Sequence, residues 1–258
     1  IRLSLVGSEM CIRDSLRGCA VHASIIVSLA NADMTMKKIL ALLIIIAIAA
    51  YLLFWPVSIE PVAWQAPTAP ALEGPYATNT TLSDSRILGK DEGIGPEDVA
   101  IDDEGYLYVG YVDGRIVRFD PDGKNPDLIA NTEGRPLGLD FAPSGNLIVA
   151  DGYKGLLSIN AAGSITTLSD SANGLAYGFT DDVDVDSNGI AYFSDASSKF
   201  GPAMHARDDI MEHGGHGRLL RYDPGTGQAE VLLDGLQFAN GIAPVSYTHL
   251  TLPTTLVV

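Results

Sequence analysis

The sequence predicts an all-β fold, because one strand-rich unit recurs along the chain. Three complete copies and the start of a fourth open on related segments, namely GPEDVAID (95–102), GRPLGLD (134–140), FTDDVDVD (179–186) and FANGIA (238–243). Each complete copy continues with a turn that contains Gly or Asp and then a second strand of alternating apolar residues. Equivalent positions in successive copies are 38, 46 and 59 residues apart. Strand-rich repeats of this kind are typical of the blades of a β-propeller.

The two ends of the chain are not expected to belong to the folded protein. Segments 1–33 and 245–258 contain translated sequencing-adaptor ends in opposite orientations. We assign the first segment to adaptor sequence and untranslated leader, with Met34 or Met36 as the natural start, and the second to adaptor sequence. The natural protein is therefore expected to continue beyond Pro244. Both cysteines precede the natural start, so we expect neither a thiol nucleophile nor a disulfide.

Residues 34–55 are predicted to form the signal anchor of a single-pass membrane protein. The run 39–55 is uncharged, mostly apolar and 17 residues long, which at about 1.5 Å per residue just spans the core of a bilayer. It exceeds the roughly 7–15 residues of a signal-peptide apolar region. Lys37 and Lys38 precede it and place the N-terminus in the cytoplasm and the large domain in the periplasm, in the lumen or outside the cell. A signal peptide cleaved within 47–50 is the alternative.

Residues 56–78 form the predicted linker, and residues 79–244 form the predicted partial propeller. Proline and alanine dominate the linker, and its prolines exclude a regular helix or a central strand. In the propeller, short alternating strands are separated by turns rich in Gly, Asp and Pro, and no segment after Trp55 has a helical period. The third copy carries a long insertion, about 199–217, which is expected to be a surface loop.

The charge of the chain excludes one class of partner. The net charge is −16, from 32 acidic and 16 basic residues. An acidic domain repels nucleic acid and anionic lipid headgroups, so we expect no nucleic-acid partner. Solubility is the main interpretation of this charge, and a cation-binding mouth is the second.

Alignment of the copies places Glu97, Arg135, Asp181 and Asn240 at one equivalent position. Equivalent strand ends of a propeller converge around its axis, so we expect these side chains to meet there. Three of the four offer oxygen atoms, the ligands that a hard cation such as Ca²⁺ prefers. The alternative is that they are polar residues of strand-end turns. Arg135 either faces an anionic substrate or bonds to the backbone of a neighbouring blade.

Candidates for a general base are few. His205, His213 and His216 lie on the insertion and qualify only by that position. The spacing of the last two fits a metal-ligand pair, but two histidines do not define a zinc site. Residues 184–195 mimic a calcium-binding EF-hand loop, yet they alternate as two strands around a turn and lack the flanking helices. The chain has no Gly-x-Ser-x-Gly nucleophile motif.

Four longer motifs carry a resemblance to a known family. They are GRPLGL (134–139), ADGYKGL (150–156), YFSDASSK (192–199) and GRLLRYD (217–223). Through them the chain from about Gly95 to Pro244 resembles the strictosidine synthase-like family, and most of all those members with a single membrane anchor ahead of the domain. The resemblance implies a six-bladed β-propeller related to the gluconolactonases and paraoxonases. This chain would hold about three of the blades and the start of a fourth.

The same resemblance implies a metal site and an activity. Metal-dependent members bind a divalent cation in the central channel through Glu, Asn and Asp residues. Glu97 matches the Glu and Asn240 matches one Asn, whereas Asp181 stands where Asn is usual. The implied function is a calcium-dependent hydrolase of carboxylic esters or lactones. A non-catalytic propeller that binds a ligand or partner, and a metal-independent strictosidine synthase-like condensing enzyme, are the two alternatives.

Overall fold

Two compact units make up the chain, residues 1–58 and residues 59–258. The computed structural model describes residues 35–55, 57–201, 206–245 and 249–251. In the first unit, helix α1 (Thr35–Phe54) is long and apolar enough to cross a membrane, judged by length and composition. In the second unit, residues 59–73 contain neither helix nor strand, and a 3-10 turn follows at Gly74–Tyr76.

Three four-stranded antiparallel sheets dominate the second unit, and in each of them the strands pair in chain order. The first sheet holds β1 (Val99–Ile101), β2 (Leu107–Gly110), β3 (Arg115–Phe119) and β4 (Asp127–Asn131). The second holds β5 (Pro136–Phe141), β6 (Leu147–Asp151), β7 (Gly155–Ile159) and β8 (Ile165–Ser169). The third holds β11 (Thr180–Val185), β12 (Ala191–Asp195), β13 (Gly217–Asp223) and β14 (Gln228–Leu236). The sheets coincide with the three repeats, which confirms the all-β prediction.

Two short hairpins accompany the sheets in the described part of the chain. They are β9 (Ser171–Ala172) with β10 (Leu175–Ala176), and β15 (Ala243–Val245) with β16 (His249–Thr251). The first hairpin follows the last strand of the second sheet and adds the buried Ala172 to the core. The second follows the start of the fourth repeat.

The first two strands of a sheet are joined by a turn that the sequence encodes. In the first sheet, the Asp102 carboxylate accepts the backbone N–H groups of Glu104 (3.1 Å) and Tyr106 (2.8 Å). Gly105 supplies the positive φ of 87° that this turn requires. Asp186 makes the same pair of bonds in the third sheet. These turns fix the register of the inner strand and therefore decide which of its residues face the neighbouring sheet.

The core lies between adjacent sheets. Val149 of β6 belongs to the apolar cluster between the first and second sheets, whereas its neighbour Ile148 belongs to the cluster between the second and third. Because successive side chains of a strand point to opposite faces of the sheet, β6 contributes to both interfaces. Every residue of β6 and β7 is buried. Full burial of one large apolar side chain, such as Phe193, contributes about 1.5–3 kcal/mol. This packing holds the inner strands β1, β5 and β11 side by side.

The insertion of the third sheet contains a helix, α2 (Ala206–Glu212), between β12 and β13. The expectation of no helix after Trp55 was wrong. Seven residues are too few to give a periodic apolar pattern, which is why the sequence does not reveal this helix. Asp208 and Asp209 lie in its first turn, where acidic side chains interact favourably with the positive N-terminal end of the helix dipole. The contacts that hold its last residue, Glu212, come from the insertion itself and from the segment before the propeller.

Candidate cation site at the inner strand ends

The inner strands of successive sheets are tied to each other by carboxylates. One Asp on each inner strand, or directly before it in the case of Asp98, accepts a backbone N–H from the inner segment that follows. The pairs are Asp98 with Leu139 (2.8 Å), Asp140 with Val185 (2.7 Å) and Asp182 with Ile242 (2.6 Å). Because hydrogen bonds to a charged acceptor are short and strong, these ties align the strand starts on which the predicted site residues lie.

Glu97 and Arg135 lie next to each other at the starts of the first two inner strands. Arg135 Nη2 is 3.4 Å from Glu97 Oε2, and Arg135 Nη1 donates to the carbonyl of Gly95 at 3.0 Å. The Arg135 side chain is 15% exposed and that of Glu97 is 47% exposed. Arg135 therefore makes the bond to a neighbouring blade's backbone that was one of its two predicted roles. Glu97 keeps a surface on which a ligand could bind.

Asp181 lies at the start of the third inner strand and is 3% exposed. Its Oδ2 is buried and has no hydrogen-bond partner among the residues that the structure describes. Burial first, and then the charges of Glu97 and Asp182, raise the pKa of Asp181 to about 8, and the charge of Arg135 opposes them. A buried oxygen of this kind is costly unless a proton or a cation satisfies it. The charges of Glu97 and Arg135 thus both act on the Asp181 carboxyl group.

Asn240 lies on the segment that follows the third sheet. Its side chain is exposed, and its Oδ1 accepts the backbone N–H of Gly241 at 2.8 Å. The bond from Ile242 to Asp182 places this segment beside β11. No group of three or more His, Cys, Asp or Glu side chains with metal-binding geometry occurs among the described residues. The fit to a cation therefore depends on the unsatisfied oxygen of Asp181, with Glu97 as the second carboxylate.

The histidines of the insertion are engaged locally. His216 Nε2 lies 2.6 Å from Glu212 Oε1, and the ring of His213 packs on Trp64 with 4.9 Å between centroids. His205 lies outside the described residues. The contacts of His213 and His216 are with the insertion and the segment before the propeller, and involve neither Glu97 nor Asp181.

Two stretches of the chain match models of a known family. The strictosidine synthase-like N-terminal model matches residues 74–119, and the strictosidine synthase model matches residues 181–250. Strictosidine synthase-like protein 4 of Arabidopsis thaliana is 40% identical over 72% of this chain and 52% of its own length. The chain belongs to the strictosidine synthase-like family. The matched stretches include Glu97, Asp181 and Asn240.

Other curated relatives of this chain carry a different name. Adipocyte plasma membrane-associated protein of Salmo salar is 34% identical over 78% of this chain and 51% of its own length. The human protein of that name is 35% identical over 75% and 50%. The chain spans about half the length of the curated relatives it matches.

Solved structures with a similar fold share little sequence with this strictosidine synthase-like chain. A gluconolactonase from Xanthomonas campestris aligns with a TM-score of 0.48 and 19% identity, over 58% of this chain and 50% of that one. Regucalcin from Agrobacterium tumefaciens, described as a calcium-binding protein, aligns with a TM-score of 0.44 and 14% identity, over 58% and 46%.

The sequence did not reveal a row of inner-strand carboxylates next to the predicted site. Burial raises the pKa of Asp182 to about 6, and burial followed by the hydrogen bond and charge of Asp140 raises that of Asp184 to about 7. In the repeat alignment, Asp98 and Asp182 directly follow two of the predicted site residues. This recurrence of an Asp directly after a predicted site residue is the sequence signal of these carboxylates.

Three aromatic rings lie along the same edge of the sheets. Phe179, two residues before Asp181, contacts Tyr153 at 6.5 Å and stacks with Phe238 at 6.3 Å between centroids. Phe238, two residues before Asn240, has a φ of 46°. Such a backbone conformation is unfavourable for a bulky residue and persists where the surroundings enforce it. The arrangement supplies an apolar surface close to the carboxylates.

Proposed function

We propose that this protein is a membrane-anchored hydrolase that uses a divalent cation, Ca²⁺, to cleave carboxylic esters or lactones. The observation that carries the proposal is the buried Asp181 carboxylate, whose Oδ2 lacks a partner among the described residues and which lies beside Glu97. Calcium takes oxygen ligands and tolerates irregular geometry, so Glu97, Asp181 and the Asn240 amide are suitable ligands. Family membership is consistent with this choice.

Each part of the site has a role in the proposed reaction. When bound, the cation supplies Lewis-acid polarisation of the ester or lactone carbonyl. Glu97 and Asp181 would hold the cation, and Arg135, which is fixed by its hydrogen bond to the Gly95 carbonyl, orients Glu97. The negative charges of Glu97 and Asp182 favour a cation at the site and repel a competing anion. The Phe179 ring and its neighbours hold the apolar part of the ester.

The proposed location is a membrane, with the propeller outside the cytoplasm. Helix α1 meets the length and composition needed for a membrane span. Lys37 and Lys38 lie at its N-terminal end, and positive residues remain on the cytoplasmic side. The substrate is therefore an ester or lactone of the periplasm, the lumen or the extracellular space.

Calcium titration by calorimetry on the full chain in detergent tests the site. Wild type is expected to bind Ca²⁺ saturably, and Glu97→Ala and Asn240→Ala are expected to weaken binding at least about tenfold. Glu104→Ala, which removes an exposed acid from the turn at the other end of β1, is the matched control and should leave binding unchanged. Absence of saturable binding in wild type would refute the cation-dependent hydrolase.

A non-catalytic propeller that binds a ligand or partner is the second candidate. The observation that favours it is Arg135, whose guanidinium adds a positive charge within 3.4 Å of Glu97 and opposes a cation there. Hydrolysis of an aryl acetate by the full chain distinguishes the two functions. The hydrolase predicts turnover that EDTA abolishes and Glu97→Ala lowers, whereas the binding protein predicts neither turnover nor an effect of EDTA.

A further inference from the structure

The segment just before the propeller is bound to the insertion of the third sheet. The backbone N–H of Glu60 donates to Glu212 Oε2 at 2.8 Å, and the N–H of Val62 donates to the Glu212 carbonyl at 2.8 Å. These bonds join parts of the sequence about 150 residues apart. Residues 60–64 are therefore held against the end of α2, although the sequence predicted a semi-extended linker there.

Glu212 is the centre of this attachment. Its buried carboxylate also accepts Lys199 Nζ (2.9 and 2.7 Å) and lies 2.6 Å from His216 Nε2. Burial alone would raise its pKa, but the bonds from Glu60, Lys199 and His216 outweigh burial and hold the pKa at about 2. The carboxylate therefore stays charged at any physiological pH, and charge-assisted bonds of this kind are the strong ones.

The end of α2 is shaped to receive Trp64. His213 follows the helix in the left-handed conformation, with a φ of 57°, and its N–H donates to the Asp209 carbonyl at 2.8 Å. This conformation terminates the helix and turns the imidazole towards Trp64, whose ring lies 4.9 Å away. The position of Trp64 is thus set by packing as well as by the backbone bonds of Glu60 and Val62.

Four apolar side chains of this assembly remain exposed, and we call them the insertion patch. They are Val62 (53% exposed), Trp64 (54%), Ile210 (57%) and Met211 (60%). Val62 and Trp64 contact the residues at the end of α2, so the two pairs lie on neighbouring elements. Exposed apolar side chains grouped on neighbouring elements are typical of a site that contacts a membrane or another molecule.

The position of the patch in the chain favours a lipid surface as its partner. Helix α1 ends at Phe54, eight residues before Val62, and eight extended residues span at most about 29 Å. A patch tethered this closely to a membrane span stays within reach of the bilayer surface. Tryptophan prefers the interface between lipid and water. The net charge of −16 disfavours anionic headgroups and therefore favours zwitterionic lipid.

We propose that the insertion patch lies on the bilayer that holds α1 and inserts Trp64, Ile210 and Met211 at the level of the headgroups of zwitterionic lipid. The proposal rests on the membrane anchoring proposed above. Interfacial elements of this kind bury their apolar face about 5–10 Å into the headgroup and acyl boundary. Glu212 and His213 then hold Trp64 next to α2, so that both contact the lipid at the same time.

The chain has two tryptophans, Trp55 and Trp64, which allow anchoring and docking to be measured separately. Trp55→Phe leaves Trp64 as the reporter of docking, and Trp64→Phe leaves Trp55 as the reporter of anchoring. Each full-length variant is placed in phosphatidylcholine nanodiscs with acyl chains brominated near the carbonyl end. Both tryptophans are expected to be quenched by the bromolipid, and Trp64 should be quenched by acrylamide at least about twofold less than in detergent solution.

Ile210→Asp with Met211→Asp tests the patch itself. Because both side chains are exposed, the double variant is expected to fold, to lose most of the bromolipid quenching of Trp64, and to leave that of Trp55 unchanged. Leu128→Asp, which changes an exposed apolar residue of the first sheet, is the matched control and should alter neither.

Three outcomes would overturn the proposal, and they differ from one another. Quenching of Trp55 without quenching of Trp64 would leave the anchor in place and refute docking. Quenching of neither would refute the anchoring as well. Protection of Trp64 from acrylamide without bromolipid quenching would show that protein, from the same or another chain, covers the patch instead of lipid.

Discussion

Replacement of Asp181 by Asn is expected to change how the stability of the domain depends on pH. The pKa of Asp181 is raised from 3.8 to about 8, first by burial and then by the charges of Glu97 and Asp182. The native state therefore keeps this proton at pH values where the unfolded chain has released it. Its contribution to stability is fully present below pH 3.8 and is lost as the pH rises towards about 8.

One retained proton corresponds to a loss of about 1.4 kcal/mol in unfolding free energy per pH unit. Between pH 5 and pH 7 the cation-free wild type should lose roughly 3 kcal/mol more than Asp181→Asn, whose amide does not titrate. Asp182 and Asp184 titrate with the same sign and are present in both proteins, so the difference between wild type and variant reports Asp181 together with its interaction with Asp182.

Urea unfolding of the full chain in detergent and EDTA, followed by fluorescence at several pH values, measures this difference. Addition of Ca²⁺ should reduce the pH dependence of wild type, because a bound cation stabilises the ionised carboxylate, and should leave the variant unchanged. Parallel pH profiles for wild type and Asp181→Asn in EDTA would refute the reasoning, since they would mean that Asp181 is already ionised in the native state.

Three further predictions concern packing and buried charge. Phe193→Ala empties a completely buried site between the second and third sheets and should lower the unfolding free energy in urea by about 3–5 kcal/mol; a loss below about 1 kcal/mol would contradict that packing. Arg218 contacts the buried Asp195 carboxylate at 2.6 and 3.0 Å, so Arg218→Met leaves that charge without its partner and should lower the unfolding free energy by about 3–5 kcal/mol in the same assay. Adding Asp195→Asn should restore part of this loss, and additive losses from the two substitutions would contradict the prediction. Glu212 has its pKa lowered to about 2, so its contribution is present above pH 4.5 and lost as the pH falls towards 2. Glu212→Gln should remove that acid-induced loss in circular-dichroism titrations and expose residues 60–64 to limited proteolysis, and resistance equal to that of wild type would argue against the attachment.

The strands could be predicted from the sequence because their signals are local. The Asp102 turn with Gly105 and the alternating residues on either side of it define β1 and β2 within about a dozen residues. Because the unit repeats, the same pattern predicts the corresponding strands of the other two sheets. Helix α2 could not be predicted, since it is short and is stabilised through Glu212 by Glu60, about 150 residues away.

The candidate site was predictable only as far as the repeat alignment reaches. Equivalence of strand ends predicted that Glu97, Arg135 and Asp181 share one region, and the structure places them there. An alignment of repeats does not identify the hydrogen-bond partner of a side chain, so the role of Arg135 could not be decided from the sequence. The bond from Arg135 to the Gly95 carbonyl depends on the packing between the first and second sheets, which single-chain patterns do not encode.

Proton release on calcium binding tests the central claim most directly. Calorimetric titration of the full chain at pH 7 in two buffers with different ionisation enthalpies counts the protons that leave as Ca²⁺ binds. With the pKa of Asp181 at about 8, wild type should bind one Ca²⁺ and release about one proton, and Asp181→Asn should bind more weakly and release almost none. Calcium binding with equal proton release in both proteins, or no binding in wild type, would contradict a cation site built on Asp181.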